Sequence, residues 1–208
     1  MGNIKRLIGA LVAAGAATLA VAAPANAGLL VSSAKDCAEQ GPSARVFQRW
    51  LDPALYVPAP GGQAESPAGW ELKGGAKGVA GNALWKVGGS SHGNSLLLPA
   101  GSSATTGTMC VGLGHPTVRF FAKRTSGTLL HTLAVEVQFE ALGGLLKSLP
   151  IGLVLSCGQW QPTLPSLVVV NLLPLLPGEQ TPVRFKFTPV GRANWQIDDV
   201  YVDPWRSR

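Results

Sequence analysis

From residue 70 onward, Gly, Ser, Asn and Pro cut the chain into short apolar segments at intervals of about ten residues. Several segments alternate with period two. Val118, Phe120 and Ala122 fall on one side, and Arg119, Phe121 and Lys123 on the other. Leu133, Val135, Val137 and Phe139 alternate with Ala134, Glu136 and Gln138, and Val183, Phe185 and Phe187 with Arg184, Lys186 and Thr188. Period two places successive side chains on opposite faces, so these segments read as strands with one buried and one wet face. Candidate strands are 70–73, 84–87, 95–98, 108–111, 117–122, 130–139, 153–156, 167–171, 183–188 and 195–202. The stretch 140–149 contains Gly143 and Gly144, stops at Pro150 and is expected to hold at most a helical turn or two. The expected architecture is all-β: an antiparallel β-sandwich, a jelly roll of about 8 to 10 strands.

The N-terminus reads as a secretory signal. Lys5 and Arg6 form a positive start, residues 7–23 are uncharged and alanine-rich, and Ala25-Asn26-Ala27 is a small-x-small cleavage pattern. The apolar run is shorter than the roughly 20 residues a bilayer core requires, so cleavage before Gly28 is expected rather than an anchor. The expected organisation is a signal peptide at 1–27, an irregular lead-in segment at 28–69 packed on the domain, and the sandwich at 70–208. The lead-in is broken by five prolines and carries Phe47, Trp50 and Tyr56. Prolines and polar residues interrupt the Leu/Val-rich stretch 145–176, so no membrane span is expected after cleavage.

The formal net charge is +6, of which Lys5 and Arg6 leave with the signal, and no run of Lys or Arg exceeds two. A nucleic-acid partner needs clustered basic charge and is not expected. Three cysteines in an exported chain allow one internal bridge. The expected pair is Cys37–Cys110, which would tether the irregular lead-in to a strand end and leave Cys157 as a buried thiol.

Two motifs bracket most of the domain. Gly61-Gly62-Gln63-Ala64-Glu65 followed by Gly69-Trp70 resembles the opening of galactose-binding-like jelly rolls, a group rich in carbohydrate-binding modules. Ala64 departs from the usual Phe of that opening. Trp195-Gln196-Ile197-Asp198-Asp199-Val200-Tyr201-Val202-Asp203-Pro204 resembles their closing strand. Together with Ser95-Leu96, Cys110-Val111 and 115–122, these elements are also similar to uncharacterised secreted proteins of actinobacteria. The galactose-binding-like resemblance implies a structural calcium held by Glu65 with Asp198 or Asp199, in keeping with calcium's choice of hard oxygen ligands. No other cofactor is implied.

In the closing motif, Trp195 and Ile197 keep one side-chain phase and Val200 and Val202 the other. A single-residue bulge at the aspartates would bring all four to one face, and bulges of this kind sit beside sites. Trp70 and Trp195 are expected in the core. Trp160, between Gln159 and Gln161, reads as a loop aromatic flanked by amides, the combination that stacks on and hydrogen-bonds a sugar. Trp85 is a second outward candidate. No nucleophile elbow, zinc spacing or carboxylate pair is compelling: Glu136 and Glu140 read as a solvated face, and His92, His115 and His131 are dispersed. The sequence therefore points to a secreted, non-catalytic binding domain with an extracellular glycan as partner. The alternatives are a carboxylate-dependent glycan hydrolase and a structural or interaction protein of the cell envelope.

Overall fold

The computed structural model describes residues 41–112, 114–141, 144–156, 158–168 and 180–203. The expected signal peptide, Cys37 and Cys157 lie outside them. A 3-10 turn, Gln48–Trp50, leads into the strands β1 (Val57–Pro58), β2 (Glu71–Lys73), β3 (Lys77–Ala80), β4 (Asn94–Leu98), β5 (Ser103–Thr105), β6 (Met109–Val111) and β7 (Thr117–Arg124). There follow β8 (Thr132–Ala141), β9 (Leu145–Val154), β10 (Gln161–Pro162), β11 (Ser166–Leu167), β12 (Thr181–Val190) and β13 (Trp195–Val202).

They form two sheets. The first runs β10-β7-β13-β4-β3, with β1 also on β13 and β11 also on β7; the second runs β2-β5-β12-β8-β9, with β6 also on β12. Every pairing is antiparallel. The chain is thus the expected all-β, two-sheet antiparallel sandwich of jelly-roll type. The short pieces β1, β3, β5 and β10 were not among the expected strands.

Alternation builds the core. Val183, Phe185 and Phe187 of β12 and Leu133, Val135 and Val137 of β8 point inward, opposite Val118, Phe120 and Ala122 of β7. Fully burying each large apolar side chain contributes on the order of 1.5–3 kcal/mol. In β13 the expected bulge is present: the register against β7 shifts between Asp198 and Tyr201, and Asp199 takes a left-handed φ of 52°. Trp195, Ile197, Val200 and Val202 consequently all enter the core. The bulge opens a slot for Gly62, whose N–H and C=O flank it through Gly62 N–H to Ala59 O and Val200 N–H to Gly62 O. Trp70 is half-buried; its ring packs on Phe187, and its Nε1–H donates to Pro60 O.

The outward face of β7 differs from expectation. Phe121 is fully buried and Arg119 nearly so, because a second apolar cluster covers them: Phe47, Tyr56, Ala83, Trp160 and Tyr201, edged by Trp50 and Trp85. The aromatics of the lead-in supply much of this cover. Arg119 anchors it, donating to Asp52 Oδ2 at 2.5 Å and to Thr163 O at 2.6 Å, while Tyr56 Oη donates to the same Asp52 oxygen at 2.7 Å.

Two expectations need correcting. Residues 84–87 are not a strand but part of a turn-rich loop between β3 and β4. The stretch 140–149, expected to hold a helical turn, instead contributes residues 140–141 to β8 and 145–149 to β9, which pairs with β8; Gly144, at φ 75°, precedes β9. Cys110, buried in β6, is disulfide-bonded, and the expected partner Cys37 lies outside the described residues, as does Cys157.

Candidate functional site

The outward face of the first sheet carries the residues that sequence reasoning singled out. The loop 81–93 crosses this face and is fastened along its length. At its start, Ala83 N–H donates to Asp198 Oδ2 at 2.9 Å. At its end, Gly93 N–H and Asn94 N–H donate to Glu65 Oε1 at 2.7 and 2.9 Å, and Asn94 Nδ2 donates to Glu65 Oε2 at 3.1 Å. Between them, Gln63 Nε2 donates to Gly88 O at 3.3 Å. The acidic residues of the opening and closing motifs therefore meet on one loop, as its two clamps.

Asp198 and Asp199 are both buried to 1% exposure. Burial, followed by the neighbouring Asp199, pushes the Asp198 carboxyl up to about 8, against the pull of its two backbone donors. Burial and then the Glu65 charge push Asp199 to about 7. Neither Asp199 carboxylate oxygen has a hydrogen-bond partner among the described residues, nor does His92 Nδ1. A β-carbon on Gly88 would lie 2.6 Å from Asp199 Oδ1 and 2.7 Å from His92 Nδ1, so glycine is what admits both groups. Glu65 differs: its Asn94 and Gly93 donors outweigh the effect of burial and hold it below the usual carboxylate range.

The expected calcium set does not assemble. Among the described residues, no three His, Cys, Asp or Glu side chains are grouped to hold a metal ion. Glu65 is turned to the loop amides, and Asp198 to Ala83 and the Asp199 amide.

The loop presents Trp85. Its ring lies on Phe121, with centroids 5.4 Å apart and planes at 29°, and meets Trp50 edge-on at 5.1 Å. Both indoles are half-buried, while Leu51 and Leu84 beside them in the chain are 96% and 80% exposed. Trp160 joins the same cluster but is only 8% exposed, and the Lys123 ammonium lies 5.0 Å from its ring centroid. That burial corrects the expectation that Trp160 is the open stacking ring. Gln159 and Gln161 on either side of it are exposed. The sequence signal for Trp50 was the lead-in's own cluster of aromatics, which had no other surface to cover.

Of the carboxylates a hydrolase could use, three are held in ion pairs. Glu136 pairs with Lys186 and accepts from Ser148, Glu71 pairs with Lys73 and Arg184, and Asp52 pairs with Arg119. A separate groove of about 680 Å³ runs between the second half of β9 and the segment 161–167, lined by Leu153, Leu155, Leu164 and Pro165 together with Gln161 and Ser166.

No family model matches the chain, and no curated protein matches it. Among solved structures it is similar to the CBM22-1 and GH10 modules of a Clostridium thermocellum endo-1,4-beta-D-xylanase complexed with xylohexaose. The identity there is 15% and the TM-score 0.47, over 65% of this chain and 26% of that one. The chain thus spans about a quarter of that protein's length. It is also similar to the CBM22-1 xylan-binding domain from Paenibacillus barcinonensis, with 14% identity and a TM-score of 0.45 over 67% of this chain and 88% of that one. A third is a xylan-binding domain from CBM 22, with 18% identity and a TM-score of 0.45 over 76% and 99%.

Proposed function

We propose that this is a secreted, non-catalytic module that binds an extracellular carbohydrate on the outward aromatic face of its first sheet. Trp85 is the stacking ring, Trp50 stands against it, and the amides of Gln159 and Gln161 border the cluster. The observation that carries this reading is the gathering of three indoles with Phe121 on one sheet face, two of them half-exposed on clamped backbone. An indole face laid on a sugar removes apolar area worth roughly 25 cal/mol per Å². Association entropy consumes much of that gain, so affinities of about micromolar to millimolar are expected. The engaged carboxylates favour binding over hydrolysis. Export rests on the tripartite N-terminus, and among the described residues no helix is long and apolar enough to cross a membrane.

The test is retention of the mature protein by a panel of neutral and acidic polysaccharides in affinity gels. Trp85→Ala and Trp50→Ala should abolish retention while the domain still melts cooperatively. Retention unchanged in the double variant would overturn the reading.

A second reading, a protein-contact role, is favoured by one observation. Strand β9 lies at the edge of its sheet and exposes Leu145, Leu146, Leu149 and Leu153, an apolar run of the kind that marks contact surfaces. Concentration-dependent association, measured by sedimentation and abolished by Leu146→Lys with Leu153→Lys, would support it.

A further inference from the structure

Resting on the reading above, we infer that the carbohydrate taken at the aromatic face is anionic, carrying carboxylate or sulfate groups. The observation is a ring of unneutralised cations around the indoles. Arg49 is exposed, and its guanidinium carbon stands 5.3 Å from the Trp50 ring centroid. Lys123 stands over Trp160 at 5.0 Å. Lys86 directly follows Trp85, is exposed, and donates from Nζ to Ser90 O at 3.2 Å. Arg49 and Lys123 thus each face an indole, Lys86 adjoins the third in sequence, and none of the three forms an ion pair with a carboxylate among the described residues. Of the paired cations, Lys73, Arg184 and Lys186 lie on the other sheet, and Arg119 is buried beneath the cluster with Asp52.

The acids beneath this face do not cancel the charge. Asp52 is matched by Arg119, and Asp198 and Asp199 are buried under the loop. Glu65 sits at the loop's far end, held by Gly93 and Asn94. Lys86 is also one of few non-glycine residues with a left-handed backbone, at φ 46°. That conformation costs an ordinary side chain roughly 1–2 kcal/mol, so the loop fixes the Lys86 backbone against local preference. A planar guanidinium is suited to paired contacts with a carboxylate or sulfate, and lysines add point charge. A neutral sugar would leave all three cations without a counter-charge.

The experiment compares the mature protein on polygalacturonate, alginate and dextran sulfate with their neutral counterparts, carboxyl-reduced polygalacturonate, carboxyl-reduced alginate and dextran. The expected result is retention by a charged member at least about tenfold stronger than by its neutral counterpart, the ratio that one charge-assisted contact supplies. Retention should weaken with salt, and Arg49→Gln or Lys86→Gln should remove most of the ratio. Preference among the charged members separates carboxylate from sulfate. Equal retention by charged and neutral partners overturns this inference and leaves the aromatic platform standing. Retention by no member of the set or of the wider panel overturns both. Retention by the charged members that survives Trp85→Ala reflects net charge alone and also overturns the inference.

Discussion

Asp198 accepts the backbone N–H of Ala83 at 2.9 Å, joining residues 115 positions apart. The bond ties the bulge of β13 to the loop that carries Trp85, so a feature of the closing strand sets the position of the candidate binding ring. Glu65 completes the fastening from the opening motif.

Glu65→Ala removes the acceptors of three loop donors. At about 1 kcal/mol for each bond, the loss is on the order of 2–3 kcal/mol. Denaturant unfolding measures that loss, and limited proteolysis should cut the variant within 81–93 before the rest of the domain. A loop as resistant as in the parent protein would show that Glu65 does not hold it.

The buried aspartates give stability a pH dependence of definite sign. Their carboxyls titrate at about 8 and about 7 when folded, against about 3.9 in an unfolded chain. Between those values the folded state holds more protons, so stability falls as pH rises from about 4 to about 8. Asp199→Asn suits the left-handed backbone and carries no charge. It should raise Tm at pH 8, change it little at pH 4, and flatten the slope between. Thermal melts across that range check the prediction, and an unaltered slope would locate the pH dependence elsewhere.

Gly62→Ala drives a methyl group into the carbonyls of Val200 and Ala59, backbone atoms that cannot turn aside. A loss of about 1–3 kcal/mol is expected. Gly93→Ala, whose β-carbon meets nothing within 4 Å, should be nearly neutral. Chemical denaturation of the pair reads the contrast.

Asp52→Ala strands the Arg119 guanidinium, which is 7% exposed. Breaking one half of a buried pair costs about 3–5 kcal/mol. The lead-in should detach in part, visible as increased Trp50 quenching by iodide. Wild-type quenching in this variant would mean that the aromatic cluster alone holds the segment.

Trp160→Ala should act on stability rather than on ligand, by about 3 kcal/mol or more for a buried large ring. Trp85→Ala should do the reverse. Melting and affinity gels on the two variants separate the roles.

The parts legible in the sequence were those governed by strand period. Strand β13 and its bulge followed from the phase change across Asp198 and Asp199, and the inward faces of β7, β8 and β12 from their alternation. What period could not show was which outward faces lie under another segment. Arg119, Phe121 and Lys123 read as a wet face, yet Phe47 and Tyr56, far away in sequence, cover it. The apolar residues of 84–87 read as a strand, but they serve a loop fixed by side-chain acceptors at both ends. Trp160 had the polar neighbours of a surface ring, and only its contacts revealed that it is buried.

Strand β13 pairs with β1, β4 and β7, all of which leave the ribosome before it. Until it arrives, β4 and β7 have no common neighbour and the Trp85 loop has no fixed start. Long-range closure of this kind is slow, and it leaves the apolar edges of the earlier strands uncovered in the meantime. A chain built this way stays unfolded late into its synthesis.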